Sequence, residues 1–361
     1  MNSVLGAARK SEGTTRYLRL LFIATLVIPV ALITASSWLN YRAAVRGSHD
    51  RVSHAADALR EYALKVFETD ELILDHIAEH VTGMDWSELV RSEEFHRYLQ
   101  QFGSRSQVSS VGLIARDHGL AATNPLFPAP ADAIEAPGYL QVERSGKEPI
   151  YVGTAVQGTF VAVPTFSVVR TAPNARSAGE NGVIFVSTKL SDFVEYYRSI
   201  VNPRDFLVTM ARSDGAVLTR SPGEELIGRV LSPASHFRQE IAQKPDGGSY
   251  DAASDIDGIE RLFAYRKLGA YPVYVIVGFK RSAVIEGWAR LMASHLMFVL
   301  PATLCLVLLA VTALRRSVIA DRAEAAAQAS VRVERSVALD LGVDAEVRYP
   351  AERQRGCPPN S

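Results

Sequence analysis

Two histidines and a glutamate in one short segment have the types and spacing of a metal-binding motif. They are His76, Glu79 and His80, in the order H-x-x-E-H. The order matches an inverted zinc-protease motif, in which two imidazoles four residues apart on a helix can share one metal ion. Neither a third ligand nor an enclosing cleft is identifiable. We therefore interpret these residues as solvent-facing positions of a long helix, and predict no metal and no cofactor.

Composition excludes several other kinds of site. The two cysteines are Cys305 and Cys357, so the segment between the two apolar runs described below has no disulfide, no thiolate zinc site and no cysteine nucleophile. Lys and Arg number 39, as do Asp and Glu, which leaves no basic excess to hold nucleic acid. No set of nucleophile, base and orienting residue stands out, and Asp117-His118 in a turn is poor ground for one. We predict no catalytic residue.

Two apolar runs, Leu18–Leu39 and Leu291–Leu314, are long enough to cross a bilayer, which takes about 20 residues. Basic residues precede the first run, and Arg315 and Arg316 follow the second. The positive-inside rule places both of these ends in the cytoplasm and the intervening segment outside it. The first run is longer than the apolar part of a signal peptide, so we expect an uncleaved anchor.

The segment between the runs begins with a helical pattern. Apolar residues recur at helical spacing from Arg42 to about Val81, and Gly83 is expected to end that helix. Ser92–Phe102 reads as a second helix and Leu190–Ile200 as a third.

From Val108 onward, short β-rich stretches occur in two copies. Ile114–Gly119 and Met210–Gly215 share the order strand, glycine turn, strand, and further strands follow both in the same order. The sequence therefore predicts an α+β fold, in which two five-stranded antiparallel modules lie beside one long N-terminal helix.

With these features, the segment from Arg42 to about Trp288 resembles a double Cache sensor, a tandem of PAS-like modules on one long helix. The resemblance is carried by IYVGTAVQGTF, NGVIFVSTKLSDFVEYYRSI, MARSDGAVLTR and RLFAYRKLGAYPVYVIVGF. Such domains form the periplasmic halves of bacterial sensor histidine kinases, and also precede cyclases and chemoreceptor domains. The resemblance implies a receptor in the bacterial inner membrane. Its membrane-distal module would hold a small ligand, and its proximal module would relay the change to the second membrane helix.

This reading gives an expected domain organisation. It comprises a cytoplasmic N-terminus (1–16), a transmembrane helix (17–40), the extracytoplasmic sensor (41–288, with a distal module at about 85–195 and a proximal module at about 200–280), a second transmembrane helix (289–314), a cytoplasmic helical linker (315–338) and an irregular tail (339–361).

Five residues are candidates to bind the ligand: Tyr139, Tyr151, Phe166, Arg170 and Ser187. Arg170 can grip a carboxylate through its planar guanidinium, or be an ordinary surface charge. The aromatics can line a pocket or belong to the core, and for Phe166 we favour the core. Where the amino-acid-binding branch of the family has Arg-x-Trp-Tyr, this chain has Glu148-Pro149-Ile150-Tyr151, and Ser187 replaces a strand aspartate. We therefore expect a small anionic or polar ligand rather than a free amino acid.

The C-terminal part of the chain bears on how the signal is passed on. Ala320–Ala338 has the composition and spacing of a dimeric coiled coil, so we expect a homodimer. No phospho-accepting helix or ATP-binding motif follows, and we expect no ATP hydrolysis or autophosphorylation. We interpret the chain as the sensor part of a kinase cut by a frame shift or premature stop. The alternatives are a short receptor with a separate partner protein and a membrane-anchored enzyme.

Overall fold

A single helix runs through the N-terminal part of the chain. The structure, a computed structural model, describes residues 2–103, 107–115, 119–129, 150–158, 163–172 and 182–340. Helix α1 spans Asn2–Val81, so the first apolar run and the predicted long helix are one continuous element. The helix ends where predicted, two residues before Gly83, whose φ of 80° lies in the left-handed region that glycine adopts readily.

Five more α-helices occur among the described residues. They are α2 Trp86–Arg91, α3 Glu93–Gly103, α4 Leu190–Ile200, α5 His236–Gln243 and α6 Arg281–Asp340, with one 3₁₀ turn at Glu224–Leu226. Helix α4 has the predicted bounds, and α3 is displaced by one residue. Helices α2 and α5 were not expected from the sequence. Helix α6 continues to Asp340, so the first two residues of the expected irregular tail are helical.

The strands form two antiparallel sheets. The first contains β1 Val108–Ile114, β2 Leu120–Thr123, β3 Tyr151–Val152, β4 Val156–Gln157, β5 Pro164–Thr171 and β6 Val183–Lys189. Its order is β2-β1-β6-β5-β3, with β4 also paired to β5. The second contains β7 Phe206–Arg212, β8 Val217–Ser221, β9 Gly247–Ala253, β10 Glu260–Lys267 and β11 Val273–Lys280, in the order β8-β7-β11-β10-β9.

The two strand orders correspond one to one, so the repeat seen in the sequence is a repeat of topology. The predicted α+β fold, with one long N-terminal helix and two antiparallel sheets, is confirmed. The first sheet differs from the expected five strands because its last edge strand is split into β3 and β4, both of which pair with β5.

Helix α1 packs against one face of both sheets. Its buried stripe includes Leu59, Val66 and Ile77, which recur at helical spacing. These side chains share one apolar cluster with Val168 of the first sheet and Val275 of the second. The helix thus provides a common wall for both modules.

The chain divides into two units. Leu39–Arg290 is a compact unit that contains both sheets, and Met1–Trp38 with Leu291–Ser361 forms the other. Among the described residues, two helices are long and apolar enough to cross a membrane, with mean hydropathies of 2.0 and 2.5 over their most apolar stretches. Large apolar side chains such as Leu32 and Phe298 are 64% and 71% exposed there.

Several expected features lie outside the described residues. They are Tyr139, the turn at Asp117-His118, the residues Glu148-Pro149, and the tail from residue 341 onward.

Candidate functional site

Alternate residues of β5 point to opposite faces of the first sheet. Phe166 and Val168 face α1 and belong to the main core, whereas Val169 belongs to a separate cluster on the other side. We call the side away from α1 the outer face. Helix α1 covers the opposite face.

A row of buried hydroxyl groups crosses the outer face of the first sheet. Ser110, Ser187 and Ser167 are neighbours on β1, β6 and β5. The hydroxyl oxygens of Ser167 and Ser187 are 2.8 Å apart. On the next strand, Gly153 donates its backbone N–H to the Ser167 carbonyl oxygen at 2.7 Å. Hydroxyls both donate and accept hydrogen bonds. The hydroxyls of Ser167 and Ser187 can therefore bond to each other or to a polar ligand.

An apolar row lies beside the hydroxyls. It consists of Gly112, Phe185, Val169 and Tyr151 on successive strands. A Cβ at Gly112 would lie 2.8 Å from the Phe185 ring and 2.4 Å from the Ala122 carbonyl oxygen, so only glycine leaves room for that ring. The outer face therefore presents hydroxyls next to aromatic surface, a combination typical of small-molecule sites.

Arg212 of β7 connects this face to the second sheet. Its Nη1 donates to the Tyr151 hydroxyl at 3.1 Å and to the Val152 carbonyl at 2.6 Å, and its Nη2 donates to Asp214 at 2.6 Å. The guanidinium also lies over the Tyr151 ring, 5.2 Å from its centroid. Sequence analysis did not identify Arg212 because Tyr151 and Val152, its partners on the first sheet, are about 60 residues away along the chain. A displacement of the Tyr151 side chain would therefore act directly on Arg212 of the second module.

The predicted ligand-binding residues divide between the two faces. Tyr151 and Ser187 lie together on the outer face. Phe166 is fully buried against α1, with its ring 5.2 Å from that of Phe67, and Arg170 forms an ion pair with Asp75 of α1. Arg170 therefore lies on the helix face, away from the hydroxyl row. The binding roles of these residues stay predictions.

The H-x-x-E-H residues have other contacts. His76 donates from Nδ1 to the Leu72 carbonyl at 2.7 Å, and the His80 ring stacks on Tyr98 with centroids 4.0 Å apart. Among the described residues, no three His, Cys, Asp or Glu side chains are grouped as metal ligands.

A buried carboxyl group lies between α1 and the first sheet. Asp70 is fully buried, and its Oδ2 accepts a hydrogen bond from Thr188 of β6 at 2.7 Å, while its Oδ1 has no partner. Burial raises the pKa of Asp70 to about 7, and the bond from Thr188 opposes that rise. This carboxyl group therefore changes charge near neutral pH, inside the contact that holds α1 to the sheet.

A cavity of about 470 Å³ lies where α1 and α6 approach each other. Arg42 and Arg46 of α1, and Arg281 and Val284 of α6, contribute to its walls. Rings from the same two helices, Tyr41 and Trp288, are in edge contact at 5.8 Å. Both helices continue into the apolar runs, so the shape of this cavity depends on their separation.

Comparison with known proteins agrees with this architecture. Residues 191–278 match the family model described as dCache_1_like, Histidine kinase sensor domain. The extracellular domain of rpHK1S-Z16, a protein described as a histidine kinase, superposes with a TM-score of 0.58 at 22% identity, over 68% of this chain and 99% of that one. The periplasmic sensory domain of the Campylobacter jejuni chemoreceptor Tlp1 gives 0.52 at 14% identity, over 67% and 98%. No curated protein sequence matches the chain. These similarities show that the domain has the Cache sensor fold.

Proposed function

We propose that this chain, whose described domain has the Cache sensor fold, is a membrane-anchored receptor for a small extracytoplasmic ligand. The observation that carries the proposal is the continuity between the sensor and the two apolar helices. Helix α1 packs on both sheets and includes the first apolar run, and β11 ends at Lys280, directly before α6 begins at Arg281. With no linker between β11 and α6, a shift of the second sheet has to displace the start of that helix.

The ligand is a small anionic or polar molecule on the outer face of the first sheet. Ser187 supplies a buried hydroxyl there and Tyr151 a partly buried ring. The bond between Tyr151 and Arg212 then offers a route from the ligand to β7 of the second sheet. Since β7 pairs with β11 along its whole length, movement of β7 passes to the strand that precedes α6.

The first test is ligand binding by the full chain in detergent micelles. The probes are C2 to C6 mono- and dicarboxylates, uncharged polyols and, as the contrasting class, free amino acids. They are screened by thermal stabilisation and then titrated by calorimetry. We expect at least one carboxylate or polyol to raise the Tm. Ser187→Ala should weaken the binding of a charged probe about 10- to 100-fold, because a hydrogen bond to a charged ligand contributes about 1.5 to 3 kcal/mol.

Ser199→Ala is the matched control, since Ser199 is exposed on α4, and this variant should bind like the original chain. An unchanged affinity in Ser187→Ala, or stabilisation by free amino acids alone, would contradict the proposed site. The same titration of Arg170→Ala decides whether that guanidinium contacts the ligand or only Asp75.

The second test is membrane topology. We propose that both termini are cytoplasmic, because basic residues flank the N-terminal end of the first apolar run and the C-terminal end of the second. In a background with Cys305→Ser and Cys357→Ser, single cysteines replace Ser199 in the sensor domain and Ser330 in α6. An impermeant maleimide should label Ser199→Cys in intact cells and Ser330→Cys only after lysis. The reverse pattern would refute the orientation.

The signal leaves through α6. Beyond the second apolar run, this helix exposes Val331, Val333 and Val337, which are 60%, 61% and 49% accessible. We propose that a second copy of the chain covers such side chains in a parallel coiled coil, and that the output is of the histidine-kinase kind suggested by the family match.

A further inference from the structure

Two buried arginines lie on the outer face of the second sheet. Arg220 of β8 and Arg261 of β10 have side chains that are only 4% and 3% exposed. Gly278 of β11 provides the room, because a Cβ there would lie 2.6 Å from the Phe263 ring and 2.9 Å from Cδ of Arg261. This face corresponds, through the repeat of topology, to the hydroxyl-bearing face of the first sheet.

The two guanidinium groups share one carboxylate unequally. Arg261 binds Asp257 through both nitrogens, at 2.7 and 2.9 Å. Arg220 reaches the same carboxylate through a single contact of 3.2 Å, and the Thr209 hydroxyl through one of 3.4 Å. Burial by itself raises the pKa of Asp257, but the bonds from Arg261 and from the Ile259 N–H lower it to about 2, so Asp257 is ionised.

The guanidinium of Arg220 therefore has fewer hydrogen-bond acceptors around it than it has N–H donors. A guanidinium has five N–H donors, and the Nε of Arg220 is buried without a partner. Asp257 is the carboxylate that both buried guanidinium groups bind, and the charge of Glu225 also acts on Arg220. A buried charge that is not fully hydrogen-bonded is costly, and an additional acceptor carrying negative charge would remove that cost.

A cavity of about 30 Å³ lies beside Arg220. Its wall includes the polar residues Thr209, Tyr250 and Ser254 and the apolar residues Leu207 and Ile276. The volume exceeds the roughly 10 to 15 Å³ that one water molecule requires. Asp255 also lines the cavity, but its carboxylate accepts hydrogen bonds from the backbone N–H and the imidazole of His236.

We propose that the second module is itself a binding site, in which Arg220, Thr209 and Ser254 hold one small monovalent anion of the size of chloride or formate. The site is separate from the ligand site proposed on the first sheet and does not depend on it. An anion here ties β8 to the segment between β9 and β10, and so stiffens the sheet that ends in α6. Occupancy would therefore set how readily the second module passes on a shift.

The experiment uses the full chain in detergent micelles, at constant ionic strength, with gluconate as the reference anion. Gluconate is too large for the cavity. Replacement of gluconate by chloride or formate should raise the Tm saturably, by about 3 °C at about 100 mM. Arg220→Gln should abolish this rise, and Arg198→Gln, which removes an exposed guanidinium on α4, should retain it. Ser187→Ala should also retain it, which separates this site from the one on the first sheet.

A second variant keeps the test decisive if Arg220→Gln does not fold. Thr209→Val preserves shape and charge and should weaken the anion response about five-fold. Crystals grown with bromide should show an anomalous peak in the cavity lined by Arg220, Thr209 and Ser254. The proposal is overturned if no anion exceeds gluconate, if Arg220→Gln or Thr209→Val responds like the original chain, or if bromide appears in crystals without a saturable effect in solution, which would mean binding at crystal concentration only.

Discussion

The free energy of unfolding is expected to fall between pH 4 and pH 7, and replacement of Asp70 by asparagine is expected to abolish most of that fall. The unfolded carboxyl group has its ordinary pKa of 3.8, whereas burial raises the pKa of folded Asp70 to about 7. Between these values the folded chain holds a proton that the unfolded chain has released, so the free energy of unfolding decreases by about 1.4 kcal/mol per pH unit. The stabilisation is complete below about pH 4 and lost above about pH 7. The total is on the order of 4 kcal/mol.

Urea denaturation of the compact unit Leu39–Arg290 at pH 5 and pH 8 measures this effect. An asparagine side chain resembles the protonated acid, so Asp70→Asn should be more stable than the original at pH 8, with a much smaller gain at pH 5. Asp50→Asn on the same helix is the control, because Asp50 is exposed and this variant keeps Asp70, so it should retain the fall in stability that Asp70 causes. Parallel pH profiles for the original chain and Asp70→Asn would show that the buried carboxyl group does not titrate in this range.

The helical parts of the fold were predictable because apolar spacing reports burial directly. The stripe on α1 and the bounds of α4 follow from periodicity alone. Helix α2 has only six residues and α5 only one buried apolar side chain, Phe237, so neither gave a periodic signal. The burial of Asp70 could be inferred from the sequence, since Asp70 lies between Val66 and Ile73 at the spacing of the apolar stripe.

The candidate site was harder to predict because faces of a sheet depend on strand register. Phe166 and Arg170 are four residues apart on β5, so a strand places them on the same face. The expectation that Phe166 belongs to the core therefore already places Arg170 toward α1. By contrast, the proximity of Tyr151 to Arg212, and of Arg220 to Asp257, depends on loops and pairings between distant segments. No spacing in the sequence encodes those contacts.

Phe67→Ala is expected to destabilise the sensor unit by about 3 to 5 kcal/mol, the usual cost of truncating a fully buried phenylalanine. Phe67 contacts both modules from α1, because its ring centroid lies 5.2 Å from Phe166 on β5 and 5.1 Å from Tyr271 before β11. The truncation therefore leaves a cavity at the point where helix, first sheet and second sheet meet. Urea denaturation of Leu39–Arg290 measures the loss, and Leu72→Ala on the same helix, whose side chain is 59% exposed, should change stability by less than about 0.5 kcal/mol. Phe67→Leu should recover part of the loss by refilling volume without restoring the ring contacts. A loss below about 1 kcal/mol in Phe67→Ala would mean that α1 does not hold the two modules together here, and would remove the physical basis for passing a ligand-induced shift along that helix.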